Sequence, residues 1–129
     1  MNDWEYEELF EAVNRNYNNY LEQNLTDQLA LARTSYDFET VRKEGILEDI
    51  IVSTAMGEII LSHQIVFIGN LNSIEELLIK YNPNELSGLI SSEDLADLTT
   101  RINNVLISLK ELPVDYNSFI RDVNKVEVK

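Results

Sequence analysis

Cysteine is absent from the chain, so no disulfide frame holds the fold and no thiol chemistry is available. Proline occurs twice and glycine four times in 129 residues. That is too few for the many tight turns of a β-sandwich, and it favours helices. Long apolar runs are missing as well. No unbroken run exceeds four residues, residues 65–68 being one, against the roughly 20 that a bilayer span requires. The opening MNDWEYEELFEA is acidic and amphipathic, without the basic flank and continuous apolar segment of a secretory signal. The expected location is therefore the cytoplasm.

The residues of common active sites are scarce too. A hydrolytic or redox centre needs a nucleophile beside a base, or a cluster of metal ligands. The single histidine, His63, stands between Ser62 and Gln64 and reads as a structural residue. Di-iron bundles place Glu-x-x-His on two helices. Here Ile60 lies three residues before His63 and there is no second histidine. Gly-x-x-x-x-Gly-Lys, Gly-x-Gly-x-x-Gly and EF-hand loops do not occur. The pairs Glu75–Glu76 and Glu93–Asp94 read as acids at helix starts rather than catalytic pairs. The expectation is a chain that is not an enzyme, with no catalytic residues, no metal site and no cofactor.

Bases are few. Lys and Arg number 10 against 23 Asp and Glu, for a net charge of −13. Residues 1–50 hold 12 acids and 4 bases, residues 51–100 hold 7 and 1, and residues 101–129 hold 4 and 5. Nearly all the negative field thus comes from the first hundred residues. Such a field repels nucleic acid and anionic lipid and speeds encounter with basic partners. No basic patch with interleaved aromatics argues for nucleic-acid recognition. Solubility alone is the plain alternative explanation of the charge.

What the chain does have is apolar content, 44% of its residues, which excludes disorder despite the charge. Its length fits one domain, residues 1–129. Residues 45–69 organise it: Ile46, Leu47, Ile50, Ile51, Val52, Ala55, Met56, Ile59, Ile60 and Leu61 cover nearly every side of a 3.6-residue wheel. A helix that is apolar all round must be surrounded by other helices. Residues 65–68 would also suit a short strand, but lacking a partner strand they are read as helix. The predicted fold class is all-α, a single compact bundle of five to six helices around this buried central helix.

The first helix is expected over residues 3–22, with Tyr6, Leu9, Phe10, Val13, Tyr17, Tyr20 and Leu21 on one face. Gln23 and Asn24 end it. Thr26 caps a second helix across which Leu25 packs as a staple. That helix is predicted to turn Leu29, Ala32 and Tyr36 inward, with Ala30 and Leu31 beside them, and Arg33 is expected to pair with a carboxylate. Asp37 caps a short segment through Phe38 and Val41 that closes at Gly45. After the central helix, Ser73 and Glu76 form a capping box for a helix carrying Ile74, Leu77, Leu78 and Tyr81. Asn82 and Pro83 stop it, and a loop or single turn follows through Leu86, Leu89 and Ile90. Ser92 caps the last long helix, with the stripe Leu95, Leu98, Ile102, Val105, Leu106, Leu109 and Leu112, ended by Pro113. Asp115 opens a short terminal helix through Tyr116, Phe119, Ile120 and Val123, and the last six residues read as frayed or extended.

Trp4 stays off the first helix's apolar stripe. On an ideal wheel it falls with Glu8, Glu11, Arg15 and Glu22, opposite Tyr6, Phe10 and Val13. An aromatic on an acidic face is the kind of anchor that binding hot spots use, although a residue so near the end also has the option of folding back on a neighbouring helix.

The segments WEYEELFEA (residues 4–12) and ALARTSYDFE (residues 30–39) resemble small, mostly α-helical immunity proteins of bacterial polymorphic toxin systems. The late amphipathic segment RINNVL (residues 101–106) fits the same layout. The resemblance covers most of the chain and implies a cytoplasmic protein that binds and neutralises one cognate toxin, commonly a nuclease. Charge agrees independently, since a nuclease holds a polyanion in a basic cleft that an acidic protein approaches fast. The expected toxin-binding surface is Trp4, Glu7, Glu8, Glu11 and Glu22, on a monomer or weak dimer with neither nucleic acid nor membrane as partner. The alternatives are a DNA-mimicking anti-restriction protein and an acidic regulatory or scaffold subunit.

Overall fold

The computed structural model describes residues 5–63 and 71–111, leaving aside the side chains of 71–73 and 110. Helices follow in the order α1 (Tyr6–Glu22), α2 (Asp27–Asp37), α3 (Glu39–Arg42), α4 (Ile46–His63), α5 (Leu71–Ile79), α6 (Pro83–Leu86) and α7 (Ser92–Glu111). Among the described residues there is no strand, and the one β-type contact is an isolated bridge between Ser87 and Ile90. The all-α bundle read from the sequence is what the chain forms, with two of its helices, α3 and α6, reduced to four residues.

α4 is the centre. Leu47, Ile50, Ile51, Val52, Ala55, Met56, Ile59 and Ile60 are all buried, and so are the small polar Ser53 and Thr54. It touches α1, α2, α3, α5 and α7, which supplies the surround that an all-round apolar helix demands. Each fully buried Leu or Ile contributes roughly 1.5–3 kcal/mol relative to exposure. The polar members are satisfied locally: Thr54 Oγ1 donates to the Ile50 carbonyl at 2.7 Å, and Ser53 Oγ accepts from Arg42 at 3.0 Å. Gly57 lets α7 come close, because a Cβ there would lie 3.0 Å from Cγ1 of Val105. Glu48, also buried, folds back beside Gly45 in the first turn of α4, where the helix dipole favours negative charge.

α1 buries its expected stripe of Tyr6, Leu9, Phe10, Val13 and Tyr17. Its C-terminus is closed by Gln23 and by Asn24, which takes a left-handed conformation (φ 67°), one that asparagine tolerates better than most residues. Thr26 then caps α2, its hydroxyl accepting from the Leu29 N–H at 3.2 Å.

On α2 the structure corrects the sequence reading. Ala30, Leu31 and Thr34 face inward, while Leu29, Ala32 and Tyr36 face out. The deciding contacts are polar. Tyr17 donates to Asp27 at 2.9 Å, Asn16 to Thr34 and Asp37 at 3.5 and 2.9 Å, and Tyr20 to Asp37 at 2.5 Å. These bonds turn the Asp27, Thr34 and Asp37 side of α2 toward α1. Asp37 accordingly ends α2 and does not cap α3, whose N-cap is Phe38. Arg33 lies 5.8 Å over the Tyr20 ring, and among the described residues it forms no salt bridge.

Smaller shifts occur at later ends. Ser91, not Ser92, caps α7, accepting from the Asp94 N–H at 3.1 Å. α5 begins at Leu71, so Ser73 stands inside it, and Glu75 and Glu76 fall beyond its first turn. Asn82 caps α6 through a bond from the Asn84 N–H at 3.0 Å, and Pro83 takes the first helical position, where its missing N–H is not needed. The readings for residues 3–4, for 65–68 and for everything from Leu112 onward, including Pro113 and the segment opened by Asp115, lie outside the described residues.

Candidate functional site

Two sets of acids stand out among the described residues. One set is spent inside the fold. Asp97 accepts from the Tyr6 hydroxyl at 2.9 Å, Asp27 from Tyr17, and Asp37 from Tyr20 and Asn16. Asp49 pairs with Arg42 at 2.8 Å and Glu58 with Arg101 at 3.0 Å. Arg101 also stacks 3.6 Å above the Phe10 ring, so one guanidinium ties α1, α4 and α7 together. Burial pulls the Arg101 pKa down, but the bonds and charge of Glu58 outweigh it and hold it above its ordinary value. For Tyr6 and Tyr17, burial and then the aspartate acceptor raise the hydroxyl pKa well above the ordinary 10.0. These hydroxyls remain protonated donors at neutral pH.

The other set lies on the outer side of α1. Glu7, Glu8, Glu11 and Glu22 are all exposed, and among the described residues none pairs with a base. Glu8 accepts from the Glu5 N–H at 3.3 Å and helps close the start of the helix. Glu7 and Glu11 stand one turn apart, an i,i+4 like-charge spacing that destabilises a helix by about 0.2–0.5 kcal/mol. Glu22 is the last residue of α1, and no base lies in that turn. A carboxylate there opposes the helix dipole. It sits some 22 Å along the axis from Glu7, at 1.5 Å per residue, so the four acids mark the length of α1 rather than one cluster. Trp4, the expected aromatic of this surface, lies outside the described residues.

The sequence reading missed a second exposed feature. Leu29 (46% exposed), Ala32 and Tyr36 (78% exposed) form an apolar stripe along the outside of α2. Beside it is an open hollow of about 370 Å³ lined by Ala32, Ser35, Tyr36, Glu39 and Arg42. The run Leu29-Ala30-Leu31-Ala32 offers two faces of similar apolarity. The signal that separates them is the set Asp27, Thr34 and Asp37, which needs the hydroxyls and amide of α1 as partners.

The described residues hold no group of three His, Cys, Asp or Glu side chains suited to a metal ion, and no helix among them is long and apolar enough to cross a membrane. His63 is exposed and leans on the Tyr17 ring, with centroids 5.5 Å apart. What the surface offers is an acidic helix face and, across the α1–α2 seam, an apolar stripe.

A search of curated proteins and one of solved structures give no match. The sequence model for Immunity protein Imm3, in contrast, matches residues 2–120, which is nearly the entire chain and includes both surfaces. The chain therefore belongs to the Imm3 immunity protein family, and it is an immunity protein that acts against a toxin.

Proposed function

We propose that the chain is a non-enzymatic cytoplasmic inhibitor that neutralises a nuclease toxin by laying the outer face of α1 over the toxin's basic cleft. The observation that carries this reading is the set of exposed carboxylates on α1, Glu7, Glu8, Glu11 and Glu22, left without basic partners among the described residues. Asp27, Asp37, Asp49, Glu58 and Asp97, by contrast, are neutralised or hydrogen-bonded at short range. On α1 like charges stand without basic partners among the described residues, and their field accelerates encounter with a basic partner, most strongly at low salt. Trp4, two residues ahead of Tyr6, is assigned the aromatic anchor at one end of this surface. The inhibitor acts as a monomer or weak dimer.

The test is the affinity of the purified chain for its cognate toxin, identified by pull-down and compared with the product of the gene immediately upstream. Trp4→Ala combined with Glu8→Lys is expected to weaken binding by more than tenfold, about 1.4 kcal/mol, and to flatten its salt dependence. A loss below tenfold removes α1 from the interface. Inhibition of several unrelated DNA-binding enzymes would favour the DNA-mimic reading instead.

A further inference from the structure

We propose that the outer stripe of α2, Leu29, Ala32 and Tyr36, is the apolar anchor of the toxin interface, and that the toxin lays an apolar or aromatic side chain against Tyr36, at the edge of the hollow that Ser35, Glu39 and Arg42 line with polar groups. This inference rests on the reading of the chain as a toxin-binding protein. It extends the interface across the α1–α2 seam.

The first support is the contrast among tyrosines. Tyr6, Tyr17 and Tyr20 all reach back to aspartates of the fold, and Tyr81 to Thr99. Tyr36 points outward from the same surface, with 78% of its area in water. It is aligned with Leu29 and Ala32 at spacings of four and three residues, on one face of α2. Single exposed apolar residues need no explanation, whereas an aligned set flanked by polar groups marks a contact surface.

The second support is charge. Of the five bases in residues 1–100, Arg33, Arg42 and Lys43 belong to α2, α3 or the residue after α3. They offset Glu39 and Asp49, with Lys43 3.3 Å from Glu39 and Arg42 2.8 Å from Asp49. The α2–α3 face is thus nearly neutral, where the α1 face carries Glu7, Glu8, Glu11 and Glu22 against the single base Arg15. A basic toxin meets each with what it has to offer: its cations against α1, and an apolar projection against α2. That division, an apolar centre rich in Tyr and Arg beside a charged border, is the usual anatomy of a tight protein interface. The two faces also adjoin. Tyr20 and Asn16 of α1 hydrogen-bond Asp37 of α2, and Arg33 lies over the Tyr20 ring, so one partner is able to span both.

The experiment measures association and dissociation rates of the purified cognate toxin domain against the full chain, at low and high salt, for wild type, Tyr36→Ala, Leu29→Ser and the pair Glu8→Lys/Glu11→Lys. A cooperative melt of each variant confirms that it folds, with a lower midpoint expected only for Glu8→Lys/Glu11→Lys, because the Glu8 carboxylate closes the start of α1. The expected result for Tyr36→Ala is a loss of about thirtyfold or more, carried by faster dissociation and persisting at high salt. Leu29→Ser is expected to act in the same way but less strongly. The acid reversals slow association and lose their effect at high salt. Toxin binding within threefold of wild type for Tyr36→Ala, alongside an effective acid reversal, overturns the α2 anchor and leaves the proposed function standing. Tyr36-dependent self-association in sedimentation, with toxin affinity unchanged, also overturns it by assigning the stripe to a second copy. No binding of the toxin to wild type overturns both readings.

Discussion

α1 and α2 both pack on α4, but they reach their orientations by different means. α1 has one apolar face and presses it inward, with Leu9, Phe10 and Val13 almost fully buried. α2 has two faces of comparable apolarity, and only one of them, Ala30 and Leu31 with Thr34, is turned inward. Hydrogen bonds decide between them. Turning the other face in would leave the hydroxyls of Tyr17 and Tyr20 without their aspartate acceptors and would bury Tyr36 in place of Thr34. For the part-buried Tyr17 hydroxyl, loss of its partner costs about 1–3 kcal/mol, comparable to the gain from burying one more apolar side chain. Where apolar content does not discriminate, polar satisfaction chooses the face.

The strongest way to break this comparison is to truncate the two leucines of α2 in parallel. Leu31 is fully buried, and Leu31→Ala is expected to destabilise by about 2–5 kcal/mol. Leu29, nearly half exposed, should change stability by about 0.5 kcal/mol on the same substitution. Denaturant unfolding of the two variants reads the difference directly, and equal losses would mean that α2 is rotated from the orientation described. In the same range, Gly57→Val places side-chain atoms where even a Cβ would already lie 3.0 Å from Val105. A loss of about 1–3 kcal/mol is expected from overpacking between α4 and α7.

A sharper probe removes only the polar tie. Tyr17→Phe keeps the ring against its neighbours and deletes the bond to Asp27, with an expected loss of about 1 kcal/mol near neutral pH. The effect depends on pH with a definite sign. The folded-state pKa of Tyr17 is raised above the unfolded value near 10.0, by burial and then by Asp27. Its contribution is therefore complete below about pH 10 and declines as pH rises through the folded value, because the unfolded chain gives up the proton more readily. Tyr6 behaves alike, through burial and Asp97. The gap between wild type and Tyr17→Phe should narrow in alkaline melts, and a gap that widens would contradict the assignment.

These elements also show how far the residues alone lead. The buried α4 was legible because its apolar positions crowd every side, and α1 because its stripe has no competitor. The family resemblance rested on the segments at residues 4–12 and 30–39, and the family match spans both. The face of α2 was not legible. Choosing between Leu29-Ala32-Tyr36 and Ala30-Leu31-Thr34 requires knowing that Tyr17, Tyr20 and Asn16 stand opposite, which is a tertiary fact. For the same reason the exposed aromatic at Tyr36 and its hollow went unseen, while the exposed acids of α1, being the complement of a clear stripe, were read correctly as a solvent-facing set.

The smallest expected effect separates stability from function on α1. Glu22 ends the helix at its negative pole with no base in that turn, an arrangement that disfavours the fold by about 0.3–1 kcal/mol. Glu22→Lys reverses the sign and should raise the melting temperature by about 1–3 °C. If α1 carries the toxin-facing charge, the same substitution slows association with the toxin at low salt, so the more stable protein is the poorer inhibitor. A rise in stability with unchanged association would mean that Glu22 lies beyond the interface. The acidic surface would then contract to Glu7, Glu8 and Glu11 at the opposite end of the helix, roughly 22 Å from Glu22 at its far edge.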